Sequence, residues 1–546
     1  MNKTIFAIGI TILFICMSFN SISGIQIENK PINPSIRGNT LYVGGSGPGN
    51  YSKIQDAIGN ASNGDTVFVY NDSSPYHEWN IQINKSINLI GEDRYSTIID
   101  GNKKTYDVIF ITANWVNISG FTIQKSGGLE AGISILPYIK NIAIIENEII
   151  SNSYEAGIIL GRYSTNCSII DNNVSGNIRV GIDIDFCSCN NTISGNKINS
   201  NGVYGIIIDT GANNNSICDN TISENKKGIE IWGNSINNII TNNNILSNEE
   251  SGIQSMGYIK FNNITNNNII NNYNGILMDF DRYNTISNNN ILNNAYGIIL
   301  QNKAYKNNIT GNLIYANSEQ GIFFHKSNNN TIKDNIISNN NLGFCIKYTL
   351  SNNNIFYHNN FINNNLDNAN DKSNNTWDND YPSGGNYWDD YNGTDNDGDG
   401  IGDTSYFIPG GDNEDRYPLM YPSVNIPPTA PIITGPKIGK PKVEYEYTFV
   451  STDPNDDSVW YFIDWGDNSW ELTSYYDSGE EITLKHTFNK GNFTIKAKAF
   501  DINGGESDWS EFTVTMPRDK TISTSPLLKF LERYPLLNRL LNFLIK

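Results

Sequence analysis

The chain has 546 residues and a formal charge of −19 at pH 7, which allows two or three domains and leaves no basic surplus for nucleic acid or an anionic membrane. Only 17% of residues are charged, while Asn and Ile recur along most of the length, a composition of solenoids with stacked polar turns rather than of amphipathic helices. Metal cations and neutral or cationic polymers stay open as partners.

Met1 to Lys3 is a short positive start, and Ile5 to Met17 is an apolar run too short to span a bilayer. Ser21-Ile22-Ser23 ahead of Gly24 offers a small-x-small cleavage site. Residues 1–23 are therefore expected to be a signal peptide and 24–39 a linker, with the mature chain secreted or on the cell surface and without a transmembrane segment. Bulky Ile15 before Cys16 argues against a lipidated cysteine. Of the remaining cysteines, Cys167, Cys187, Cys189, Cys218 and Cys345, export permits a bridge among the first four; the Cys187-Ser188-Cys189 step fits a thiophilic metal or, more simply, buried stacked thiols.

Residues 41–69 read as an end cap: a strand at Leu41 to Val43, a Gly-rich turn, a helix from about Lys53 to Ala61 and a strand at Thr66 to Tyr70. A Gly followed by Ile or Phe then returns at Gly132, Gly157, Gly181, Gly205, Gly228, Gly252, Gly275, Gly297, Gly321 and Gly343, at intervals of 22 to 25 residues. Two further signals recur between them, Asn before Ile (Asn244, Asn268, Asn290) and Asn-Thr-Ile (Asn191, Asn284, Asn330). Three short strands per period, each with one inward Ile, cannot bury an apolar face alone but can by stacking on identical neighbours. The expected fold class is all-β: a right-handed parallel β-helix of about ten coils over residues 40–375, a rod of ~45 Å at the ~4.8 Å spacing of paired strands.

Because side chains alternate faces along a strand, the positions two and four residues after each Gly point outward. The second of these columns reads Asp185, Asp209, Trp232, Met256, Asp279, Gln301, His325, Lys347, and the first includes Asp183 and Glu230. Asp183, Asp185, Asp209 and Glu230 are the candidate catalytic carboxylates: acids one coil apart raise one another's pKa or share a cation, and either outcome suits acid–base work on a sugar chain. Trp232 is placed to stack on a sugar ring, and Asp279, Asp281, Arg282 and His325 form a second candidate ligand patch. A lyase would also want a nearby base, for which Arg162 and Arg179 are the candidates.

Residues 376–422 contain Asp395-Asn396-Asp397-Gly398-Asp399-Gly400-Ile401-Gly402-Asp403. Carboxylates at positions one, three, five and nine, a Gly at six and a backbone carbonyl at seven match the oxygen wrapping of calcium. The expected ligands are Asp395, Asp397, Asp399, Ile401 and Asp403. Tyr406 stands where an EF-hand has Glu, which favours a free-standing structural calcium loop completed by Asp389, Asp390, Asp412 or Asp415.

Asn374-Asn375-Thr376-Trp377-Asp378, Gly384-Gly385-Asn386-Tyr387-Trp388 and Asp415-Arg416-Tyr417-Pro418-Leu419, together with the cap and the Gly-Ile coils, resemble the NosD-type secreted β-helix proteins, a family abundant in archaea, over about residues 40–422. The resemblance implies a carbohydrate-binding or sugar-hydrolase type of β-helix and, through the family's name, periplasmic copper handling. Copper is not expected, since His77, His325, His358 and His486 are scattered and no Met-rich run exists. Within residues 425–516, Trp460 to Asp467, His486-Thr487-Phe488, Gly491 to Ile495 and Asp501 to Gly504 resemble a PKD-type, immunoglobulin-like β-sandwich, which implies an extracellular spacer or an adhesive module for other surface proteins. The tail, residues 517–546, is apolar but broken by Lys529, Glu532, Arg533, Pro535 and Arg539, and reads as a linker and short amphipathic helices.

The expected function is binding of a polysaccharide or envelope glycan through one flank of the β-helix, with calcium stabilising the module. The alternatives are a polysaccharide lyase or hydrolase using the stacked carboxylates and, third, a copper-handling protein of the NosD type.

Overall fold

The computed structural model describes residues 38–346, 348–423, 427–453, 458–467, 469–501 and 505–517. The expected signal peptide, most of the following linker, Lys347 and the C-terminal tail lie outside the described residues. No helix among the described residues is long and apolar enough to cross a membrane. The chain divides into two compact units, one ending at Val424 and one beginning at Asn425.

The first unit is an all-β parallel solenoid. Its strands line three parallel sheets: one of fourteen strands from Thr40–Val43 to Ile355–Tyr357, a second of thirteen from Ile98–Asp100 to Tyr387–Trp388, and a third of thirteen from Ile81–Ile83 to Asp367–Asp371. Equivalent residues pair without slip, so that Ile193, Ile217 and Ile240 stack in one column, each without solvent exposure. This register turns single inward Ile residues into a continuous core. There are about fourteen turns rather than ten, a rod of ~60 Å. The shortfall has a physical origin. In the third sheet, Asn80, Val108 and Asn368 stand at the Gly position of the strands Ile81–Ile83, Ile109–Ile111 and Asp367–Asp371, so counting glycines misses those turns. Elsewhere glycine is required: a Cβ on Gly228 would lie 2.5 Å from the Gly252 carbonyl oxygen and 3.1 Å from the Asn248 amide.

The expected cap is present as a strand Thr40–Val43, a helix Ile54–Asn60 and a strand Thr66–Val69. The helix buries Ile54, Ala57 and Ile58, and side chains from the next turns satisfy its ends. Glu78 accepts the Ile54 and Gln55 N–H groups at 2.7 and 3.1 Å, and the Lys85 ammonium donates to the Ile58, Gly59 and Ala61 carbonyls at 3.1, 2.7 and 2.6 Å.

Three buried Asn ladders run through the turns, from Asn147 to Asn386, from Asn152 to Asn364 and from Asn191 to Asn375. The rungs share three bonds, and some add a fourth, to the carbonyl two residues earlier, as at Asn196. The backbone N–H and the side-chain amide of Asn196 both donate to Asn220 Oδ1 at 2.9 and 3.0 Å, and the same amide donates to the Ile169 and Ser194 carbonyls at 2.8 and 3.0 Å. Donors point toward the C-terminal end in every ladder, and every ladder terminates on carboxylate. Asn386 donates its backbone N–H to Asp415 at 2.7 Å; Asn364 donates to Asn368, which donates to Asp389 and Asp390 at 2.8 and 2.9 Å; Asn375 donates to Asp371 at 2.9 Å. Trp388 and Trp377, stacked on Phe361 and Phe356 in the aromatic end of the core, add indole N–H bonds to Asp415 and Asp371 at 2.9 and 3.0 Å.

The second unit contains two antiparallel sheets of three and four strands, spanning Ile432–Thr434 to Ser510–Met516. Its core gathers Tyr447, Phe449, Tyr461, Trp465 and Phe488. Cys167, Cys187, Cys189 and Cys218 form no disulfide, and burial pushes the Cys167 thiol up to about 12.

Replacing Asn243 by Ala strands the Asn220 backbone N–H, takes one of three acceptors from the Asn220 amide and removes one donor each from the Ile217 and Thr241 carbonyls, the latter keeping the Asp219 N–H. At ~1–3 kcal/mol for a buried group left unpaired and ~1 kcal/mol for a lost hydrogen bond, the loss is on the order of 2–4 kcal/mol. The exposed strand residue Asn308, replaced by Ala, is expected to cost less than ~0.5 kcal/mol. Urea unfolding of the two variants reads the difference; equal midpoints would refute the ladder as a stabilising element.

Candidate functional site

The outer face of the third sheet carries both predicted columns. Ile159, Asp183, Ile207, Glu230 and Gln254 are neighbours in the first column, and Trp232, Met256, Asp279, Gln301 and His325 in the second. The pairing of Ile184 with Ile208 brings Asp185 beside Asp209. Lys347, expected next in the second column, lies outside the described residues.

Asp183 sits between Ile159 and Ile207, two aliphatic side chains that also face outward and are nearly covered. Its Oδ1 is buried and has no hydrogen-bond partner. Burial, reinforced by the charges of Asp185 and Asp209, pushes its carboxyl up to about 8. Asp185 is an ordinary ion-pair partner by contrast: it accepts the Phe186 N–H at 2.7 Å and lies 3.4 Å from Arg162 Nε. Asp209 accepts the Thr210 N–H at 2.6 Å. Three of the four predicted carboxylates thus act on one another.

Glu230 does not join them. Ile207 intervenes in the column, and Glu230 is buried against the Lys227 ammonium at 2.9 Å. Trp232 is exposed, one coil beyond Asp209 and beside exposed Met256. In the second predicted patch, Asp279 takes a 3.4 Å bond from Gln301, and the His325 ring lies 5.6 Å from that of Tyr348. Asp281 departs from expectation: it has no solvent exposure and accepts the Ser255 hydroxyl and the Ile259 and Asp279 N–H groups, the latter two at 3.2 and 3.1 Å. The strand ends at Asp279 and the chain turns at Phe280, whose φ is 64°, so the alternation that puts Asp279 outside does not carry on to Asp281. Burial pushes the Asp281 carboxyl up to about 7. Arg282 therefore stands apart from it, over the Tyr258 ring at 5.3 Å.

Two further acids on the same face fall outside the two columns. Asp107 accepts the Ala131 N–H at 2.7 Å and is raised to about 6, chiefly by burial; Glu155 is raised by burial and by the charges of Glu130 and Asp185. A third column, two residues before each Gly, holds Glu130, Glu155 and Arg179. That spacing was available in the sequence and would have found Glu130, Glu155 and the arginine that opposes Asp183, though not Asp107, which stands one residue before Val108 at the Gly position.

In the acidic segment, carboxylate oxygens of Asp395, Asp397 and Asp399 lie within 4.8 Å of one another. Asp395 accepts the Gly398 and Gly400 N–H groups at 2.7 and 3.0 Å, and Asp399 that of Ile401 at 2.8 Å. Ile401 also bridges Leu419. Asp403 is turned onto Asn396, accepting its backbone and side-chain N–H at 2.8 and 2.6 Å. Asp389, Asp390 and Asp415, expected to complete the loop, instead end the Asn ladders. Tyr406 stacks on Trp388 at 4.3 Å and donates to Asp390 at 3.1 Å, which ties the loop to the end of the solenoid.

The family model described as periplasmic copper-binding protein (NosD) matches residues 58–257 and 251–393. Among solved structures, the chain is similar to the PKD domain of an M14-like peptidase from a Thermoplasmatales archaeon, at 46% identity over 17% of this chain and 100% of that one, with a TM-score of 0.17. It is also similar to the A-module of the Azotobacter vinelandii mannuronan C-5 epimerase AlgE6, at 16% identity over 59% and 93% of the two chains with a TM-score of 0.46. A double mutant of the periplasmic alginate epimerase AlgG matches at 14% identity over 60% and 84%, with a TM-score of 0.41. No curated protein matches the chain.

A carboxyl that keeps its proton to a higher pH in the folded chain stabilises the fold below its unfolded value, near 3.8, and that contribution is lost as pH rises through the folded value. Asp100 and Asp378, held below the usual range, are ionised in both states above pH 5 and add no slope there. Stability is therefore expected to fall from pH 5 to pH 8, by up to ~1.4 kcal/mol per pH unit for each such proton. Thermal unfolding across that range checks this: Asp183→Asn should flatten the profile, and an unchanged slope would show that Asp183 is ionised throughout.

Proposed function

Because the chain belongs to the NosD family, whose model spans most of the solenoid, we propose that it works in the periplasm or outside the cell and binds a glycan along the outer face of the third sheet. The observation that carries this reading is the exposed Trp232 ring lying one coil from Asp209 and two from Asp183 and Asp185, the carboxylates that interact. A flat apolar ring beside a row of hydrogen-bonding acids suits a hydroxyl-rich sugar, one face of which is apolar and the rim polar. Calcium would be held by Asp395, Asp397 and Asp399 with the Ile401 carbonyl, hard oxygen ligands that suit it. Through Tyr406 and Asp390 it would brace the end of the ladders. The C-terminal unit is proposed as a PKD-type spacer.

Copper, which the family's description names, does not fit these residues. Among the described residues the one group of three His, Cys, Asp or Glu side chains that closes on a point is the triad Asp395, Asp397 and Asp399. Copper sites favour imidazole, thiolate and thioether over carboxylate oxygen.

A second reading, hydrolysis or lyase chemistry, is favoured by one observation: the buried Asp183, raised to about 8, stands beside two further carboxyl groups, Asp185 and Asp209, which sets an acid next to potential bases. Asp183 would donate the proton and Asp209 accept one. Glu230, locked to Lys227, would have no part.

The test is a panel of neutral and acidic polysaccharides incubated with the full chain, with and without calcium. Retention without product release is expected, weakened at least ~10-fold by Trp232→Ala. Product release abolished by Asp183→Asn would establish the enzyme instead, and no interaction with any polymer would sink both readings. Calcium is expected to raise the unfolding temperature of the native chain and not that of an Asp397→Ala variant; equal responses would exclude the loop.

A further inference from the structure

We propose that three consecutive turns, residues 258–261, 280–283 and 303–306, form a separate binding site for an anionic glycan, one bearing carboxylate or sulfate groups. These turns join the third sheet to the first. Immediately before the ladder Asn of eight coils, Asn191 to Asn354, the chain passes through the left-handed region, and five of these eight positions hold Asn: 190, 214, 237, 329 and 353. The remaining three are Phe261, Tyr283 and Lys306, with φ of 56°, 56° and 53°. They are adjacent in the stack, Phe261 donating its N–H to the Tyr283 carbonyl, and Lys260, Arg282 and Tyr305 bridging in register beside them.

An aromatic or aliphatic residue at such a φ costs about 1 kcal/mol or more where Asn costs little. The solenoid therefore bears backbone strain in these coils that its own repeat shows how to avoid. What the substitution gives is a surface. Tyr258, Phe261 and Tyr283 are 46%, 53% and 42% exposed, and Phe261 and Tyr283 stack at 5.5 Å with rings 20° apart. Cations are interleaved: Arg282 over Tyr258 at 5.3 Å, and Lys306 over Tyr283 and Tyr305 at 5.8 and 5.3 Å. Arg282 Nε is buried and has no acceptor. The one carboxylate in the three turns, Asp281, is fully buried, so a chain of net charge −19 presents here a patch that is aromatic and positive.

Aromatic faces take sugar rings and the cations take acidic groups. Three turns at ~4.8 Å spacing make a patch on the order of 10 Å, room for a few rings. Single-stranded nucleic acid offers the same two features, but its phosphates give a denser charge than a glycan with one acid per sugar, and the negative remainder of the chain opposes it more strongly. The site shares no residue with the acidic face of Asp183 and Asp209 and stands whether or not that face binds anything.

The test uses affinity electrophoresis of the full chain through polygalacturonate, its neutral methyl ester and oligo-dT. Phe261→Asn and Tyr283→Asn are the informative variants, because they install the residue that the other turns use. Retardation by polygalacturonate is expected to fall at least ~10-fold in either variant and in Arg282→Gln, to weaken with salt, and to persist in Asp209→Ala, while the unfolding midpoints of the two Asn variants stay equal to that of the native chain or rise. Unchanged retardation in the Asn variants, or retardation by oligo-dT as strong as by polygalacturonate, would overturn the proposal. Loss in Asp209→Ala alone would assign the glycan to the acidic face instead.

Discussion

The solenoid depends on a hydrogen-bond chain that has a direction. In each of three columns an Asn gives its amide and backbone protons to the Asn of the following turn and receives those of the preceding one, so every buried amide is satisfied only if the next turn is in place. This is why such short strands can hold their form: each turn contributes little more than three inward side chains, and the ladders fix the stacking that makes those side chains a core. It also explains the carboxylates at the C-terminal end. A column of donors needs an acceptor at its end, and the carboxyl oxygens of Asp371, Asp389, Asp390 and Asp415 supply it.

The same register builds the surfaces. Residues 22 to 25 apart become neighbours one strand spacing away, which turns Asp185 and Asp209 into a pair and sets Phe261 on Tyr283. On the acidic face, the outward aliphatic neighbours Ile159 and Ile207 decide the chemistry of Asp183, because they remove water from one carboxyl while Asp185 and Asp209 keep ordinary surroundings. One acid is thereby distinguished from two others of identical composition. At the aromatic turns the backbone, rather than burial, marks the departure from the repeat.

Much of this was legible in the sequence, because a solenoid writes its tertiary contacts as spacing. The fold class, the N-terminal cap with its helix, the outward columns and the closeness of Asp395, Asp397 and Asp399 all follow from periodicity and from residue type. What failed did so where the period breaks. Turns whose Gly position holds Asn80, Val108 or Asn368 escape a count of glycines, and Asp281, a member of the second candidate patch, is turned inward past the strand end at Asp279. The withdrawal of Glu230 into an ion pair with Lys227, three residues away, and the use of Asp415 as a ladder terminus need side-chain directions that spacing alone does not carry.

The polarity of the ladders has a consequence for how such a chain comes into being. Made with its N-terminus first, the growing rod always ends in a turn whose amide protons face an absent neighbour, and it stays incomplete until Asp415 arrives. Fresh turns are therefore welcomed at one end and refused at the other. Whole coils can be gained or lost from the middle during evolution, sliding the acidic and aromatic patches along the rod, whereas the closing segment must travel with every version.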